Sequence, residues 1–125
     1  MNTIVHSDKA PQAVGPYSQA IATNNMLFVS GQLPIDPATG EFAGSSIEEQ
    51  TEQVIANLKA VIAEAGFSLA EVVKTTCFLQ SMEDFAIFNS IYATYFSSFP
   101  PARECVEVAK LPKGALVEIS VICSK

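Results

Sequence analysis

The chain is poor in the residues on which much catalytic chemistry depends. Its 125 residues include no tryptophan, one histidine (His6) and one arginine (Arg103). A single histidine excludes a His–His metal site and a two-histidine ribonuclease mechanism. The zinc-protease motif HExxH, the phosphate-binding loop GxxxxGK[ST] and the nucleophile elbow GxSxG are all absent. These absences exclude the common metal-dependent and serine-hydrolase mechanisms.

Cysteine, basic charge and long apolar runs are also scarce. The three cysteines, Cys77, Cys105 and Cys123, include no CxxC pair, so we expect no disulfide framework and a reduced, cytoplasmic protein. No apolar run approaches the roughly 18 residues that span a bilayer, and the first residues lack the pattern of a signal peptide. The net charge of −6 opposes a phosphate-neutralising surface. We therefore expect neither a membrane nor a nucleic acid as partner.

Hydrophobic periodicity and turn residues predict the element order β-β-β-α-β-α-β-β. One helix begins after Ser46, which with Glu49 has the capping-box spacing, and ends at Gly66. An Asn24-Asn25 turn separates the second and third strands. A second helix begins near Ser81 and Asp84, and its apolar core face consists of Phe85, Phe88, Tyr92, Tyr95 and Phe96. The predicted strands cover residues 3–6, 18–23, 26–30, 72–79, 102–109 and 115–123, and residues 31–46 are predicted as loop.

This order predicts an α+β fold in a single domain of residues 1–125, with two helices on one face of a mixed sheet. The last predicted strand carries apolar side chains on both faces, with Val117 and Ile119 on one and Leu116 and Ile122 on the other. Two helices cover only one face of such a sheet. The uncovered apolar face predicts self-association.

Arg103 and Glu118 are the ionisable residues whose positions are most unusual. Arg103 begins a strand that otherwise reads as buried, and strand alternation puts Cys105 on the same face as Arg103. Glu118 lies within the apolar last strand, where a carboxylate needs a partner or a shifted pKa. Two interpretations stay open from the residues alone. Arg103 and Glu118 form a structural ion pair, or they serve a cleft in which Arg103 binds a carboxylate and Glu118 positions water.

Two glycine-containing clusters are weaker candidates. They are GPYSQA at 15–20, which contains Tyr17, and SGQ at 30–32, which contains Gly31. Glycine lets a backbone approach a ligand closely, although turn geometry explains both clusters more simply. Cys105 as a nucleophile would need an activating base, and burial as a small apolar side chain is the simpler interpretation.

Four stretches together resemble the RidA (YjgF/Rid) family of reactive-imine deaminases. They are GPYSQA at 15–20, SGQ at 30–32, FNSIY at 88–92 and PAR…CVEVAKLPKGALVEI at 101–119. The resemblance implies a chorismate-mutase-like fold assembled as a homotrimer, with a central barrel and substrate clefts between subunits. It also implies that the fifth strand lies beside the fourth and that the sixth inserts between the third and fourth.

The resemblance also implies roles for individual residues. Arg103 matches the arginine that binds the substrate carboxylate, and Glu118 matches the acid that orients the hydrolytic water. Glu104 departs from the family pattern, in which many members carry a small residue, and alternation directs it away from the face of Arg103. The remaining substrate-binding positions are Tyr17, the backbone of Gly31, Cys105 and Asn89, the last supplied by a neighbouring subunit.

The implied activity is hydrolysis of 2-iminopropanoate and 2-iminobutanoate to 2-oxo acids and ammonia, without metal or organic cofactor. Dehydratases that use pyridoxal phosphate release such imines, so the resemblance implies a functional link to those enzymes. Two alternatives remain. One is a non-catalytic trimer that binds small oxo acids and regulates a partner. The other, less favoured, is an endoribonuclease or translation inhibitor.

Overall fold

The computed structural model describes residues 2–125, which form an α+β fold of one mixed sheet and two α-helices. The order of elements confirms the predicted β-β-β-α-β-α-β-β. The strands and helices are β1 (Asn2–Val5), β2 (Ala20–Thr23), β3 (Met26–Gln32), α1 (Ile47–Glu64), β4 (Val72–Leu79), α2 (Phe85–Phe96), β5 (Ala102–Glu107) and β6 (Val117–Ser124).

Local signals fix several of these boundaries. Ser46 accepts a hydrogen bond from the Glu49 N–H at 3.1 Å while its own N–H donates to the Glu49 carboxylate at 3.3 Å, which confirms the capping box of α1. Asn24 adopts a φ of 51° in the tight turn between β2 and β3. The Ser81 side chain accepts from the Glu83 N–H, so it caps a short 3-10 turn, and α2 begins only at Phe85.

The strand β3 is longer than predicted. It continues through Gly31 to Gln32 instead of ending at Ser30. Gln32 pairs with Ile119 of β6, across a register shift that follows Val29. Gly31 favoured a loop in the sequence. The pairing that continues the strand was not visible there, because Ile119 lies far along the chain.

The sheet has the strand order β1-β2-β3-β6-β4-β5. The pair β4–β5 is parallel and the other neighbouring pairs are antiparallel. The structure confirms that β5 lies beside β4 and that β6 inserts between β3 and β4. This arrangement puts the Arg103 strand at one edge of the sheet and the Glu118 strand near its centre.

Both helices pack on one face of the sheet and bury a single hydrophobic cluster. Hydrophobic burial of this kind stabilises a fold by roughly 25 cal/mol per Å² of apolar surface. No helix within residues 2–125 is long and apolar enough to cross a membrane. The fully buried side chains of the cluster include Leu27, Val54, Leu58, Leu79, Phe88, Val117 and Ile119.

In the described part of the chain, no helix covers the opposite face of the sheet. Phe28 of β3 and Val106 of β5 are 41% and 47% exposed on that side. The prediction that the strand at Arg103 is largely buried is wrong for one chain. Among the strands of residues 2–125, β5 lies at the edge of the sheet and pairs with β4 alone. Self-association through the open face stays a prediction.

Candidate functional site

Arg103 lies beside α2, and its guanidinium is held by three side chains of that helix. One terminal nitrogen donates to Oδ1 of Asn89 at 2.7 Å. The guanidinium carbon lies 4.8 Å from the centre of the Tyr92 ring and 5.6 Å from that of Phe85. Within residues 2–125 the guanidinium makes no further hydrogen bond, so most of its fork of donors is available to an anion.

Tyr92 is itself fixed from below by the sheet. Its hydroxyl and that of Thr75 are 2.8 Å apart, and Thr75 is fully buried. Arg103 is the register partner of Thr75 across the parallel β4–β5 pair, so both side chains point toward α2. Asn89 and Tyr92 are three residues apart on α2 and therefore face the same side. The sequence marked Tyr92 only as a core residue, and its contact with Arg103 depends on the tertiary packing.

Cys105 shares the face of Arg103, as alternation predicted, and is half-buried. Burial raises the pKa of its thiol, and the nearby Arg103 charge opposes this only in part. Its register partner Cys77 is buried, which raises the pKa of that thiol to about 12. Neither thiol has the lowered pKa that an activated nucleophile needs.

Glu118 occupies the opposite, open face of the sheet, beside a bulge in β3. Ser30 and Gly31 lie between the register pairs Val29–Val121 and Gln32–Ile119, opposite the single residue Ser120. A Cβ added to Gly31 would overlap Oε2 of Glu118 and lie 2.9 Å from its Cδ. The lack of a side chain at Gly31 therefore gives the Glu118 carboxylate its position against the β3 backbone.

The Glu118 carboxylate has no ion-pair or hydrogen-bond partner in the part of the chain that the structure describes. Its side chain is half-buried, and this burial raises the pKa of the carboxyl group. It lines a cavity of about 900 Å³, which is open to solvent and bounded by several loops. Other residues that line the cavity include Tyr17, Gly31, Gln32, Leu33, Ile35 and Lys113.

Tyr17 reaches this cavity from the loop before β2. Its ring is 51% exposed, and its hydroxyl accepts a hydrogen bond from the Val14 N–H at 3.4 Å. The buried Gln19 side chain holds the loop, accepting from the Ser7 N–H at 2.6 Å and donating to the Pro11 carbonyl at 2.8 Å. The sequence placed Gln19 in the GPYSQA motif but did not show that its side chain holds this loop by hydrogen bonds.

The six residues selected from the sequence thus form two groups, and the groups are separate within one chain. Arg103 pairs with Thr75 of β4, and Glu118 pairs with Phe78, three residues further along the same strand. An odd separation reverses the face, so Arg103 and Glu118 point to opposite sides, roughly 14 Å apart by ladder spacing. The structural ion pair between them is therefore excluded within a chain.

Asn89 and Arg103 are bonded within one chain, so the two side chains belong to the same group. The supply of Asn89 to a site by a neighbouring subunit stays a prediction. Glu104 does point away from the Arg103 face, as predicted. Its carboxylate forms an ion pair with Lys74 at 2.5 Å on the open side of the sheet. Glu104 therefore leaves the guanidinium of Arg103 without a competing carboxylate from its own strand neighbour.

This fold and these two groups of residues define a class of small α+β chain, with an arginine at a sheet edge and a glutamate in a cavity on the other face. A family model described as Endoribonuclease L-PSP matches residues 7–125. A RutC family protein of Sulfurisphaera tokodaii is 55% identical over 121 residues, which are 97% of each chain. The chain belongs to this family, the RidA/YjgF family that its motifs resemble.

Solved structures agree with this assignment. The Rid family protein YyfA of Yersinia pestis is 47% identical, with a TM-score of 0.97 over all of both chains. RidA from a Psychrobacter species is 44% identical, with a TM-score of 0.94 over 98% of this chain and 99% of that one. TdcF of E. coli, solved with bound serine, is 36% identical, with a TM-score of 0.93 over 98% of both chains.

Proposed function

We propose that the protein hydrolyses small 2-imino acids, such as 2-iminopropanoate and 2-iminobutanoate, to 2-oxo acids and ammonia. The observation that carries the proposal is the Arg103 guanidinium, held by Asn89 and Tyr92 with most of its donors free. A planar fork of N–H donors matches a carboxylate, the one charged group that every substrate of this class carries. The serine bound to the relative TdcF is a carboxylate ligand of similar size.

The active site needs residues from two chains. Because Arg103 and Glu118 of one chain face opposite sides of the sheet, both can reach one substrate only if a neighbouring chain supplies the second group. In a ring, each chain gives its Arg103 to one neighbour and its Glu118 to the other, and such heterologous contacts close when the rotations between chains complete a circle. A homotrimer with three clefts between subunits satisfies this requirement and covers the open sheet face.

The reaction requires one water and one proton relay. Arg103 binds the substrate carboxylate, which fixes C2 near a water that Glu118 of the next chain orients. The water oxygen adds to C2 and its proton passes to the Glu118 carboxylate. Glu118 gives this proton to the nitrogen, which forms a carbinolamine with a hydroxyl and an amino group on C2. The carboxylate then takes the proton of the C2 hydroxyl and passes it to the amino group. The C2–N bond breaks as the C2=O bond forms, and ammonia leaves the 2-oxo acid. General acid–base catalysis of this type contributes about 10²–10⁴-fold, which suits imines that already hydrolyse in water.

No step of this scheme uses a metal or an organic cofactor. The chain supplies a cation for the carboxylate, an acid–base group for the water and a cavity for the rest of the substrate. The reaction that precedes it must release a free 2-imino acid, which is the product class of dehydratases that use pyridoxal phosphate. We propose a cytoplasmic role next to such enzymes.

Two other functions share parts of this site. A non-catalytic trimer that binds 2-oxo acids would use the same Arg103 contacts, so only turnover separates it from the enzyme. The family description favours a ribonuclease, but RNA cleavage would need a basic surface, and the chain has a net charge of −6. Its one histidine, His6, is exposed and bonded to Asp8 at 3.0 Å.

The test is an imine-hydrolysis assay in which a dehydratase generates imines from several amino acids. We expect the protein to accelerate 2-oxo acid release and Arg103→Ala to abolish the acceleration while the oligomer remains intact. The control variant is Lys59→Ala, which like Arg103→Ala removes one cation but from the exposed surface of α1. Acceleration by Arg103→Ala equal to that of the wild type would refute the proposed carboxylate contact.

A further inference from the structure

A buried glutamine on α1 joins the loop after β3 to the start of β6. Gln50 is 3% exposed. Its Oε1 accepts a hydrogen bond from the Leu116 N–H at 2.8 Å, and its Nε2 donates to the Gly44 carbonyl at 3.0 Å. Leu116 lies two residues before Glu118, so this amide fixes the backbone that leads directly into the glutamate.

A buried asparagine on the same helix holds the other end of that loop. Asn57 is fully buried, and its Nδ2 donates to the carbonyls of Leu33 at 3.0 Å and Ile35 at 2.9 Å. Both of these residues line the Glu118 cavity. The Oδ1 of Asn57 accepts from Gln53 at 2.9 Å, so every hydrogen-bonding group of the amide except one lone pair is used.

These contacts matter because the loop has little other support. Residues 33–46 between β3 and α1 form one isolated bridge, Ile35–Phe42, and otherwise make only local turns. An apolar side chain at Gln50 or Asn57 would leave half-buried backbone N–H and carbonyl groups of the loop without these partners, which destabilises the loop in this position. Gln50 and Asn57 lie in the apolar core stripe of α1, and their side-chain amides hydrogen-bond the backbone of the loop that forms part of the cavity wall.

We infer that Gln50 and Asn57 are positioning residues that hold the Glu118 cavity in its working shape. This inference rests on the proposed function, since it assigns the two amides to the Glu118 part of the active site. Neither side chain contacts the Arg103 group, which lies on the far edge of the sheet beside α2. Their loss therefore affects the water and the proton, and leaves the carboxylate contact in place.

The test compares Gln50→Leu and Asn57→Leu with the control Val61→Ala in the intact oligomer. For the first two we expect kcat to fall about tenfold or more and KM to change less than about twofold, because misplacing the acid–base group weakens the transition state alone. The pH at which kcat changes should also move. Val61→Ala removes apolar contacts from the core face of the same helix but no hydrogen bond to the loop, so it should lower only the melting temperature.

A milder variant keeps the test valid if Gln50→Leu does not fold. Gln50→Glu retains an acceptor for the Leu116 N–H and, when ionised, loses the donor to Gly44, so we expect an intermediate loss of kcat. A purely structural role predicts lower melting temperatures with wild-type kcat, KM and pH profile. That result for both positions would overturn the inference.

Hydrogen exchange separates this inference from the proposed function. In Gln50→Leu the Leu116 amide and those of 33–44 should exchange faster than in Val61→Ala, whatever the substrate. A wild-type protein that hydrolyses no imine would refute the proposed function. Unchanged exchange at these amides would refute the positioning role.

Discussion

Arg103 and Glu118 lie two strands apart in one sheet and direct their side chains to opposite faces. Arg103 is packed against α2 by Asn89, while Glu118 contacts the bare backbone of Gly31. Each chain thus carries the Arg103 half of a site on the helix side of the sheet and the Glu118 half on the open side. The proposed function requires Arg103 of one chain and Glu118 of another to contact the same substrate.

Arg103→Lys should be almost as harmful as loss of the side chain. An ammonium group cannot bond Asn89 and still present two parallel donors to a carboxylate. We expect KM for the imine to rise about tenfold or more, because charge-assisted hydrogen bonds contribute about 1.5–3 kcal/mol each. Steady-state kinetics measure this, and an unchanged KM would mean that only the positive charge matters.

Tyr92 should matter through its ring more than through its hydroxyl. Tyr92→Leu removes the aromatic surface under the guanidinium and should raise KM about fivefold, the size of a cation–π contact. Tyr92→Phe keeps the ring but leaves the buried Thr75 hydroxyl with only the weak Cys77 thiol as a partner, so it should lower stability by about 1 kcal/mol with little change in KM. Equal KM values for the two variants would contradict this division.

Gly31→Ala should reproduce the loss of Glu118. The added methyl group occupies the position of the carboxylate, and a displacement of about 1 Å can lower kcat about 100-fold. A double-mutant cycle supplies the control: in a Glu118→Gln background, Gly31→Ala should change kcat very little. Additive losses of kcat would show that Gly31 acts through something other than Glu118.

The raised pKa of Glu118 gives a pH dependence with a defined sign. Burial keeps this carboxyl protonated above its ordinary pKa of 4.5, so the folded state binds the proton more tightly than the unfolded state. Stability from this group is present at low pH and is lost as the pH rises through the folded-state pKa.

Glu118→Gln removes that loss, so its melting temperature relative to the wild type should increase as the pH rises above 4.5. If ionised Glu118 is the base, kcat of the wild type should also rise with pH at a point above 4.5, and the variant should lack that step. A melting-temperature difference that does not vary with pH would contradict the assignment.

The sequence predicted the fold where the signals are local. The capping box of Ser46 and Glu49, the Asn24 turn and the apolar stripe of α2 involve residues close together in the chain, and each was confirmed. The end of β3 was missed because it depends on Ile119, a distant partner. The exposure of β5 was missed because strand composition does not reveal which strand lies at an edge.

The candidate site was predictable as a set of residues but not as an arrangement. Alternation along β5 correctly put Cys105 with Arg103 and Glu104 on the other side. No local pattern in the sequence shows whether Glu118 of β6 and Arg103 of β5 lie on the same face of the sheet. That relation depends on how β4, which lies between them, pairs with each of the two strands. The buried amides Gln50 and Asn57 did leave a signal, since both occupy the apolar core stripe of α1.

Mixing two inactive variants shows directly whether Arg103 and Glu118 of different chains share one active site. Arg103→Ala and Glu118→Gln chains, refolded together in equal amounts, should form some clefts that take Arg103 from one chain and Glu118 from the other. If the two groups come from different chains, about one quarter of all sites regain both, whatever the size of the ring, and activity returns to about that fraction of wild type. If each site takes both residues from one chain, the mixture remains as inactive as its components, and the account is wrong.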